Sequence, residues 1–219
     1  MTNLERWMKQ LGDRRGKKVV FLAHCLLNEN TRYLGGACET GAVPHVIQEC
    51  LDQGFGIVQM PCPEQHAWGG VLKRRLIRYF GAKGTLIYQT RNIMLPLLLW
   101  YTRMVYRRYA KQVANEVLDY LSSGFAVVGI VGVDGSPSCG ARQTMDIRRS
   151  FELIGQLSSK AKREDMNAIV LACLVQGKGI FVKALQEELD SRHLSVPFLS
   201  YNLPTELRGS PYARVFHHA

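Results

Sequence analysis

The chain has 219 residues, of which 47% are hydrophobic and 21% charged, and its formal net charge is +10. This composition is that of an ordinary soluble protein, and the length is enough to bury a core in one domain over residues 1–219. The sequence contains no internal repeat and no low-complexity linker, which excludes a repeat array. The longest apolar stretch, residues 93–101, is too short to span a bilayer and contains Pro96.

Residues 1–18 are charged and amphipathic and lack the apolar run of a signal peptide. We therefore expect no signal peptide and a cytoplasmic location. In that compartment the six cysteines are expected to be reduced thiols, so their even number does not predict disulfides.

Strands and helices alternate along the chain. The first strand, the following helix and the second strand form a βαβ unit, which implies a right-handed crossover and parallel strands. The alternation predicts an α/β fold, a Rossmann-like three-layer sandwich with a mainly parallel central sheet. The tail from about residue 201 is expected to be irregular. The predicted strands are residues 18–23, 55–60, 125–131, 168–174 and 196–199, and the predicted helices are 3–11 (with Asn3 as N-cap), 43–53, 71–80, 97–121 (after Pro96), 147–164 and 181–191.

Three apolar runs each lead to a cysteine at their C-terminal end, namely Cys25, Cys62 and Cys139. Parallel strands present these ends along one edge of the sheet, where open α/β sheets bind ligands. Three thiolates at that edge suit zinc, with His66 as a fourth ligand, or an iron–sulfur cluster. With three cysteine ligands, a four-iron cluster leaves one iron open as a Lewis acid. The pattern by itself also fits three unrelated buried thiols.

The other three cysteines differ from this trio. Cys50 lies within a helical pattern and Cys173 follows an apolar run, so both are predicted to be buried small hydrophobic residues. Cys38 lies in a glycine-containing loop after Cys25, either as a loop thiol without a role or as a residue that approaches the site.

A basic, partly apolar helical segment over about residues 68–121 carries the charge excess. No Asp or Glu occurs between Glu64 and Glu116. Such a surface with interleaved aromatic residues suits RNA, including tRNA. A solvated basic face, or one that rests on an anionic membrane through residues 93–100, explains the pattern as well. Its cations over residues 73–111 are Lys73, Arg74, Arg75, Arg78, Lys83, Arg91, Arg103, Arg107, Arg108 and Lys111, and its aromatic residues are Trp68, Tyr79, Phe80, Tyr88, Trp100, Tyr101, Tyr106 and Tyr109.

Three sequence blocks surround the cysteine trio. Cys25-Leu26-Leu27 is followed by Thr31-Arg32-Tyr33 and Gly35-Gly36, and Cys62-Pro63-Glu64 is followed by Gly69-Gly70. The third block is Ser136-Pro137-Ser138-Cys139-Gly140. In this order and with this spacing, the blocks resemble the signature of the thiouracil desulfidase family, long catalogued as a domain of unknown function. The resemblance covers residues 18 to about 185.

The resemblance implies a [4Fe–4S] cluster held by Cys25, Cys62 and Cys139, with the fourth iron open to the sulfur of a thiolated uracil. Water then replaces that sulfur, giving the oxo base and hydrosulfide without net redox change. The serine and glutamate implicated in that family match Ser136 and Glu64, which suit proton transfer and hydrogen bonding.

Each matching residue also has a structural interpretation. Glu64 is suited to cap the following helix, and Ser136 to form a turn with Pro137. Arg32 and Tyr33 either contact the substrate or pin their loop. Asp134 is a candidate turn residue. Residues 177–179, Gly-Lys-Gly before a helix, are either a phosphate cradle or, as we favour, a plain turn.

The sequence departs from the family after the second block. Relatives carry a proline–arginine pair and a downstream glutamate, whereas Gly69-Gly70 here precedes the acid-free basic stretch. A free base needs no basic platform, but a thiolated nucleotide or tRNA would benefit from one. The sequence therefore leaves open a thiolated base, nucleotide or RNA as substrate. The alternatives are a zinc-stabilised, non-enzymatic RNA-binding protein and a cluster enzyme with another substrate.

Overall fold

The computed structural model describes residues 2–78, 83–158 and 160–216. Its centre is a parallel four-stranded sheet in the order β2-β1-β3-β6. The α/β fold with a mainly parallel central sheet, predicted from the alternating pattern, is thus confirmed. The strands of this sheet are β1 (Lys18–Leu22), β2 (Gly56–Gln59), β3 (Ala126–Val133) and β6 (Phe198–Tyr201).

Helices connect and cover the strands of the sheet. Long helix α7 packs on α10 and β3, and one apolar cluster joins the sheet to these helices. No helix in the described ranges is long and apolar enough to cross a membrane. The helices are α1 (Asn3–Gln10), α2 (His24–Leu27), α3 (Pro44–Asp52), α4 (Pro63–Ala67), α5 (Arg74–Leu76), α6 (Leu86–Gln89), α7 (Arg91–Ser122), α8 (Ile147–Ile154), α9 (Arg163–Ala172), α10 (Ile180–Asp190) and α11 (Leu203–Leu207).

The predicted strand over residues 168–174 is wrong. Helix α9 occupies Arg163–Ala172, with acidic residues in its first turn, which favour a helix N-terminus. A strand follows only at β5 (Leu174–Gln176), which pairs antiparallel with β4 (Gln143–Met145) in a separate small sheet. The apolar run of residues 168–172 is short enough to fit a helix face or a strand.

Several predicted boundaries also change. Thr2, not Asn3, caps the first helix, since its hydroxyl accepts from the Glu5 N–H. Helix α7 begins before Pro96 and contains it. The single helix predicted over residues 147–164 is two helices, α8 and α9. The tail expected to be irregular from residue 201 contains helix α11. The helix predicted over residues 71–80 is described only up to residue 78, so Tyr79 and Phe80 lie outside the described residues.

Candidate functional site

Three neighbouring strands deliver their cysteines to one place. Strand β1 leads into α2, which contains Cys25, β2 leads to Cys62 at the start of α4, and β3 leads to the turn that contains Cys139. Because β2, β1 and β3 are adjacent and parallel, their C-terminal ends lie at the same sheet edge. A cavity of about 420 Å³ opens there, and all three cysteines line it. The convergence predicted for the trio is therefore present.

Burial opposes ionisation of all three thiols. Burial raises the pKa of Cys62 to about 12, with a further increase from the Glu64 carboxylate. Burial also raises the pKa of Cys25 and of Cys139, and the charges of Cys25, Glu64 and Cys62 add to the increase at Cys139. Holding three thiolates here thus requires a compensating cation, which is how a metal or iron–sulfur centre stabilises cysteine ligands. The donor set fits a thiolate-bound cluster.

The turn that carries Cys139 is built by its own serine. Ser136 Oγ accepts from the N–H groups of Ser138 (3.3 Å) and Cys139 (3.0 Å). Gly132, opposite the turn, has no side chain because a Cβ there would lie 2.2 Å from the Cys139 carbonyl oxygen. Ser136 therefore has the turn-forming role considered from sequence, and it also lines the cavity.

The start of helix α10 fixes this turn from the other side. The N–H groups of Gly179 and Ile180 donate to the carbonyls of Gly140 (2.9 Å) and Pro137 (3.0 Å), and that of Phe181 donates to Ser138 (3.1 Å). The Gly177 N–H also donates to a carbonyl, that of Arg142 (2.9 Å), so both glycines of residues 177–179 already have partners and the phosphate-cradle interpretation is not supported. Residues 177–179 are therefore interpreted as the plain turn that we favoured from the sequence.

Asp134 is a turn residue of the same assembly. Its Oδ1 accepts from the N–H groups of Ala141 (3.2 Å), Arg142 (2.9 Å) and Gln143 (3.1 Å). Its Oδ2 accepts from the Ser200 hydroxyl. Both carboxylate oxygens are therefore used to shape the chain that leaves the cysteine turn.

Glu64 connects the second and third cysteine blocks. Its Oε1 accepts from Ser138 Oγ at 2.5 Å and from Ser136 Oγ at 3.4 Å, and its Oε2 lies 3.3 Å from Lys73 Nζ. No side chain caps the N-terminus of α4, so Glu64 does not have the capping role considered from sequence. The result is a carboxylate with hydroxyl and ammonium donors in the cysteine-lined cavity, an arrangement able to hold and transfer a proton.

Lys73 was missed as a site residue because it lies in the basic run and was counted as part of a surface. It is 5% exposed, lines the cavity and donates to the Thr31 carbonyl as well as pairing with Glu64. Its backbone is left-handed, with φ of 50°, a conformation that is uncommon for a residue other than glycine. No local sequence signal separates Lys73 from its exposed neighbours Arg74 and Arg75.

Two further cavity residues were not singled out from sequence. Ser138 makes the shorter of the two serine contacts with Glu64, and its Oγ lies 3.6 Å from Cys139 Sγ. His24 lies beside Cys25, and burial lowers its pKa. Both are sequence neighbours of a site cysteine, which is the one signal that would have indicated them.

Arg32 and Tyr33 line the cavity and also pin their loop. Arg32 forms ion pairs with Glu29 (2.9 Å) and Glu206 (3.0 Å) and donates to the Gly36 carbonyl (3.2 Å). Tyr33 donates its hydroxyl to Asn167 (2.8 Å), and its ring occupies the space of a Gly36 side chain. The structure therefore supports the loop-pinning alternative and keeps both side chains at the cavity wall.

The remainder of the cavity is apolar. Helices α8 and α9 supply most of it, and the Trp68 ring adds to the wall while its Nε1 donates to Thr102 (3.0 Å). A few polar groups at one end of an apolar cleft are typical of small-molecule sites. The apolar lining includes Leu76, Ile77, Met145, Ile147, Phe151, Ile154, Leu157, Met166, Ile169 and Val170.

The remaining cysteines and His66 lie outside this cavity lining. Cys50 and Cys173 are buried, as predicted, and Cys38 is exposed with its Sγ 3.2 Å from Arg163 Nη2. His66 is exposed and stacks on Tyr109, so it is not placed as a fourth zinc ligand. Within residues 2–78, 83–158 and 160–216, no three His, Cys, Asp or Glu side chains form a site for one metal ion.

The basic segment is less uniform than predicted. Lys73, Trp68 and Tyr106 are buried, and Tyr109 is half-buried, whereas Trp100 is 65% exposed. Of the aromatic residues expected to stack on bases, Trp68 and Tyr106 are therefore not accessible. The exposed residues of the segment include Trp100, Tyr101, Met104 and Lys111, together with arginines and aliphatic side chains.

Comparisons with known proteins do not identify a family for this chain. No family model matches the chain, and no solved structure matches it. A stretch of 50 residues, 23% of this chain, is 36% identical to the uncharacterized protein MJ0003 of Methanocaldococcus jannaschii. The match spans 32% of that protein, so the chain covers about a third of its length.

Proposed function

We propose that the chain is an iron–sulfur-dependent desulfidase that removes sulfur from a thiolated uracil and releases hydrosulfide. The observation that carries the proposal is the common cavity of Cys25, Cys62 and Cys139 with the Glu64 carboxylate at its wall. The three thiols would hold a [4Fe–4S] cluster and leave one iron without a cysteine ligand. That cluster supplies a Lewis acid for the substrate sulfur.

The residues of this chain would manage water and protons. Glu64 accepts a proton from the water that attacks the ring carbon, and the carbon–sulfur bond breaks as the carbon–oxygen bond forms. Ser138 and Lys73 hold the carboxylate in place through its two oxygens. The water oxygen becomes the carbonyl oxygen of the base, one proton leaves with the sulfur as hydrosulfide and the other passes to solvent, so no electrons are exchanged.

The apolar wall and the polar end suit different parts of a substrate. A pyrimidine ring has apolar faces that can pack on side chains such as Phe151 and Met145, while Ser136 and Arg32 offer hydrogen bonds at its edge. A reducing compartment such as the cytoplasm would keep the ligand thiols available. The substrate form stays open among base, nucleoside, nucleotide and RNA, with the exposed Arg74 and Arg75, next to the cavity residue Lys73, as the reason to include tRNA.

The test is anaerobic reconstitution with iron and sulfide, followed by metal analysis and visible absorption. We expect about four irons per chain and a brown protein. The variant Cys62→Ser should lose the cluster absorption, whereas Cys38→Ser, which changes an exposed cysteine outside the cavity, should keep it. Reconstituted protein that contains no iron, or an identical spectrum for both variants, would overturn the cluster.

Sulfide release then tests the reaction. Thiouracil, 4-thiouridine, 4-thiouridine monophosphate and thiolated tRNA are supplied in turn, and hydrosulfide and oxo product are measured together. Equal amounts of both products support hydrolysis. A loaded cluster with no sulfide from any of the four would retain the cofactor and reject the desulfidase activity in favour of another substrate. Stoichiometric zinc with salt-sensitive RNA binding would indicate the non-enzymatic alternative instead.

A further inference from the structure

Helix α7 carries an apolar stripe on the side that faces away from the core. Ile93, Leu97, Trp100 and Met104 follow at intervals of four, three and four residues, so they lie along one face. They are 72%, 57%, 65% and 51% exposed, respectively. The buried side chains of the same helix are Leu95, Thr102, Tyr106, Ala110, Val113, Ala114 and Val117.

Basic side chains continue this face. Arg107 and Arg108 come three and four residues after Met104, and Lys111 comes seven residues after it, so they occupy the following turns on the same side. All three are exposed. No acidic residue occurs in the sequence between Glu64 and Glu116. The face is therefore apolar over three turns, then cationic, and carries no negative charge.

We propose that this α7 face, defined by Ile93, Leu97, Trp100 and Met104 with Arg107, Arg108 and Lys111, rests on the surface of an anionic lipid bilayer. The apolar stripe enters the boundary between headgroups and acyl chains, and the cations contact acidic headgroups. Trp100 suits this boundary because an indole has an apolar body and a polar N–H. The inference does not depend on the proposed function, since none of these residues lines the cysteine-lined cavity.

Two other occupants fit the face less well. A second copy of the chain in a two-fold dimer would present the same surface from both sides, so the cations would find no acidic partner on it. RNA would be attracted by the cations, but Ile93, Leu97 and Met104 offer nothing to phosphates. Two aromatic residues expected to stack on bases, Trp68 and Tyr106, are buried.

The experiment is co-sedimentation of the full chain with vesicles, measured without iron so that the cluster plays no part. We expect binding to vesicles of phosphatidylglycerol and phosphatidylcholine, and about tenfold weaker binding to phosphatidylcholine alone. Leu97→Glu should weaken binding to the mixed vesicles about tenfold or more, because it places a charge in the apolar stripe. Leu118→Glu is the matched control, since Leu118 is also exposed on α7 (42%) but lies beyond the cationic turns.

The possible results distinguish a lipid bilayer, a second copy of the chain and RNA as the partner of the α7 face. Equal vesicle binding by Leu97→Glu and Leu118→Glu would overturn the proposal, as would binding to neither kind of vesicle. A concentration-dependent dimer lost in Leu97→Glu, without vesicle binding, would assign the face to a second copy. Binding of tRNA that Leu97→Glu leaves unchanged and that Arg107→Glu abolishes, again without vesicle binding, would assign it to RNA. Circular dichroism of each variant establishes that the fold is retained.

Discussion

Removing one partner of the buried ion pair between Lys73 and Glu64 should strongly destabilise the fold, and Lys73→Met tests this directly. The two side chains are only 6% and 13% exposed and lie 3.3 Å apart. Breaking a buried pair from one side costs about 3–5 kcal/mol, because the remaining charge has no partner. Glu64 is 13% exposed to solvent and keeps its hydrogen bond from Ser138, and both partly stabilise the charge that remains. The cost therefore lies near the lower end of that range.

The substitution also removes the donor to the Thr31 carbonyl, which adds about 1 kcal/mol. We therefore expect Lys73→Met to lower the free energy of unfolding by about 3 to 4 kcal/mol. Methionine keeps a Cβ at the left-handed position, so backbone strain is the same before and after the change. Replacement by glycine would relieve that strain and confuse the comparison.

The assay is urea unfolding of the iron-free protein, arranged as a double-mutant cycle with Glu64→Gln. If the two residues act as a pair, the double variant should lose at least about 1 kcal/mol less than the two single losses together. Lys111→Met serves as a control at an exposed lysine and should change stability by less than about 0.5 kcal/mol. Additive losses, or a Lys73→Met effect no larger than the control, would refute the reasoning.

The remaining predictions concern the cysteine turn and its thiols. Ser136→Ala should lower the free energy of unfolding by about 1–3 kcal/mol, because two N–H groups of the turn lose their acceptor. Ser138→Ala should lower the free energy of unfolding less but should reduce sulfide release. A larger loss of stability in Ser138→Ala than in Ser136→Ala, with sulfide release unchanged, would contradict this. Gly132→Ala should prevent formation of soluble folded protein or cost more than about 3 kcal/mol, since its Cβ would meet the Cys139 carbonyl, whereas Gly41→Ala, with open space around it, should have little effect. In iron-free protein, the raised pKa of Cys62 should keep its reaction with iodoacetamide far slower than that of the urea-unfolded chain near pH 9, with the rate rising as the pH approaches about 12. Equal rates at pH 9, followed by mass spectrometry, would contradict that shift.

The cysteine convergence could be predicted because it depends on topology alone. Parallel strands share a C-terminal edge, and the apolar runs before Cys25, Cys62 and Cys139 were long enough to identify as strands. The same reasoning failed over residues 168–172, where a five-residue apolar run has no period that separates a helix from a strand. The acidic residues in the first turn of α9 were the missed local signal.

Other features depend on contacts that no local pattern contains. Helix α7 continues through Pro96 although proline removes a helix N–H, and Leu95 packs on Phe151 at that point. Tertiary packing thus stabilises the helix at a position where the local sequence predicts that it begins. Lys73 is a similar case, since its burial depends on an acid nine residues earlier and on a left-handed backbone. Ser138 could be identified as a site residue only from its distance to Glu64, which the sequence does not show.

The turn between strand β3 and the small sheet cannot accommodate an inserted residue. Ser136 holds its N–H groups, the first turn of α10 takes three of its carbonyls, and Asp134 fixes the residues that follow. An inserted residue anywhere in 136–140 would shift all three sets of hydrogen bonds at once. Insertions should therefore be tolerated at exposed places such as Gly12, but not here. A constant length among related chains would then mark this cysteine turn even where its residues differ.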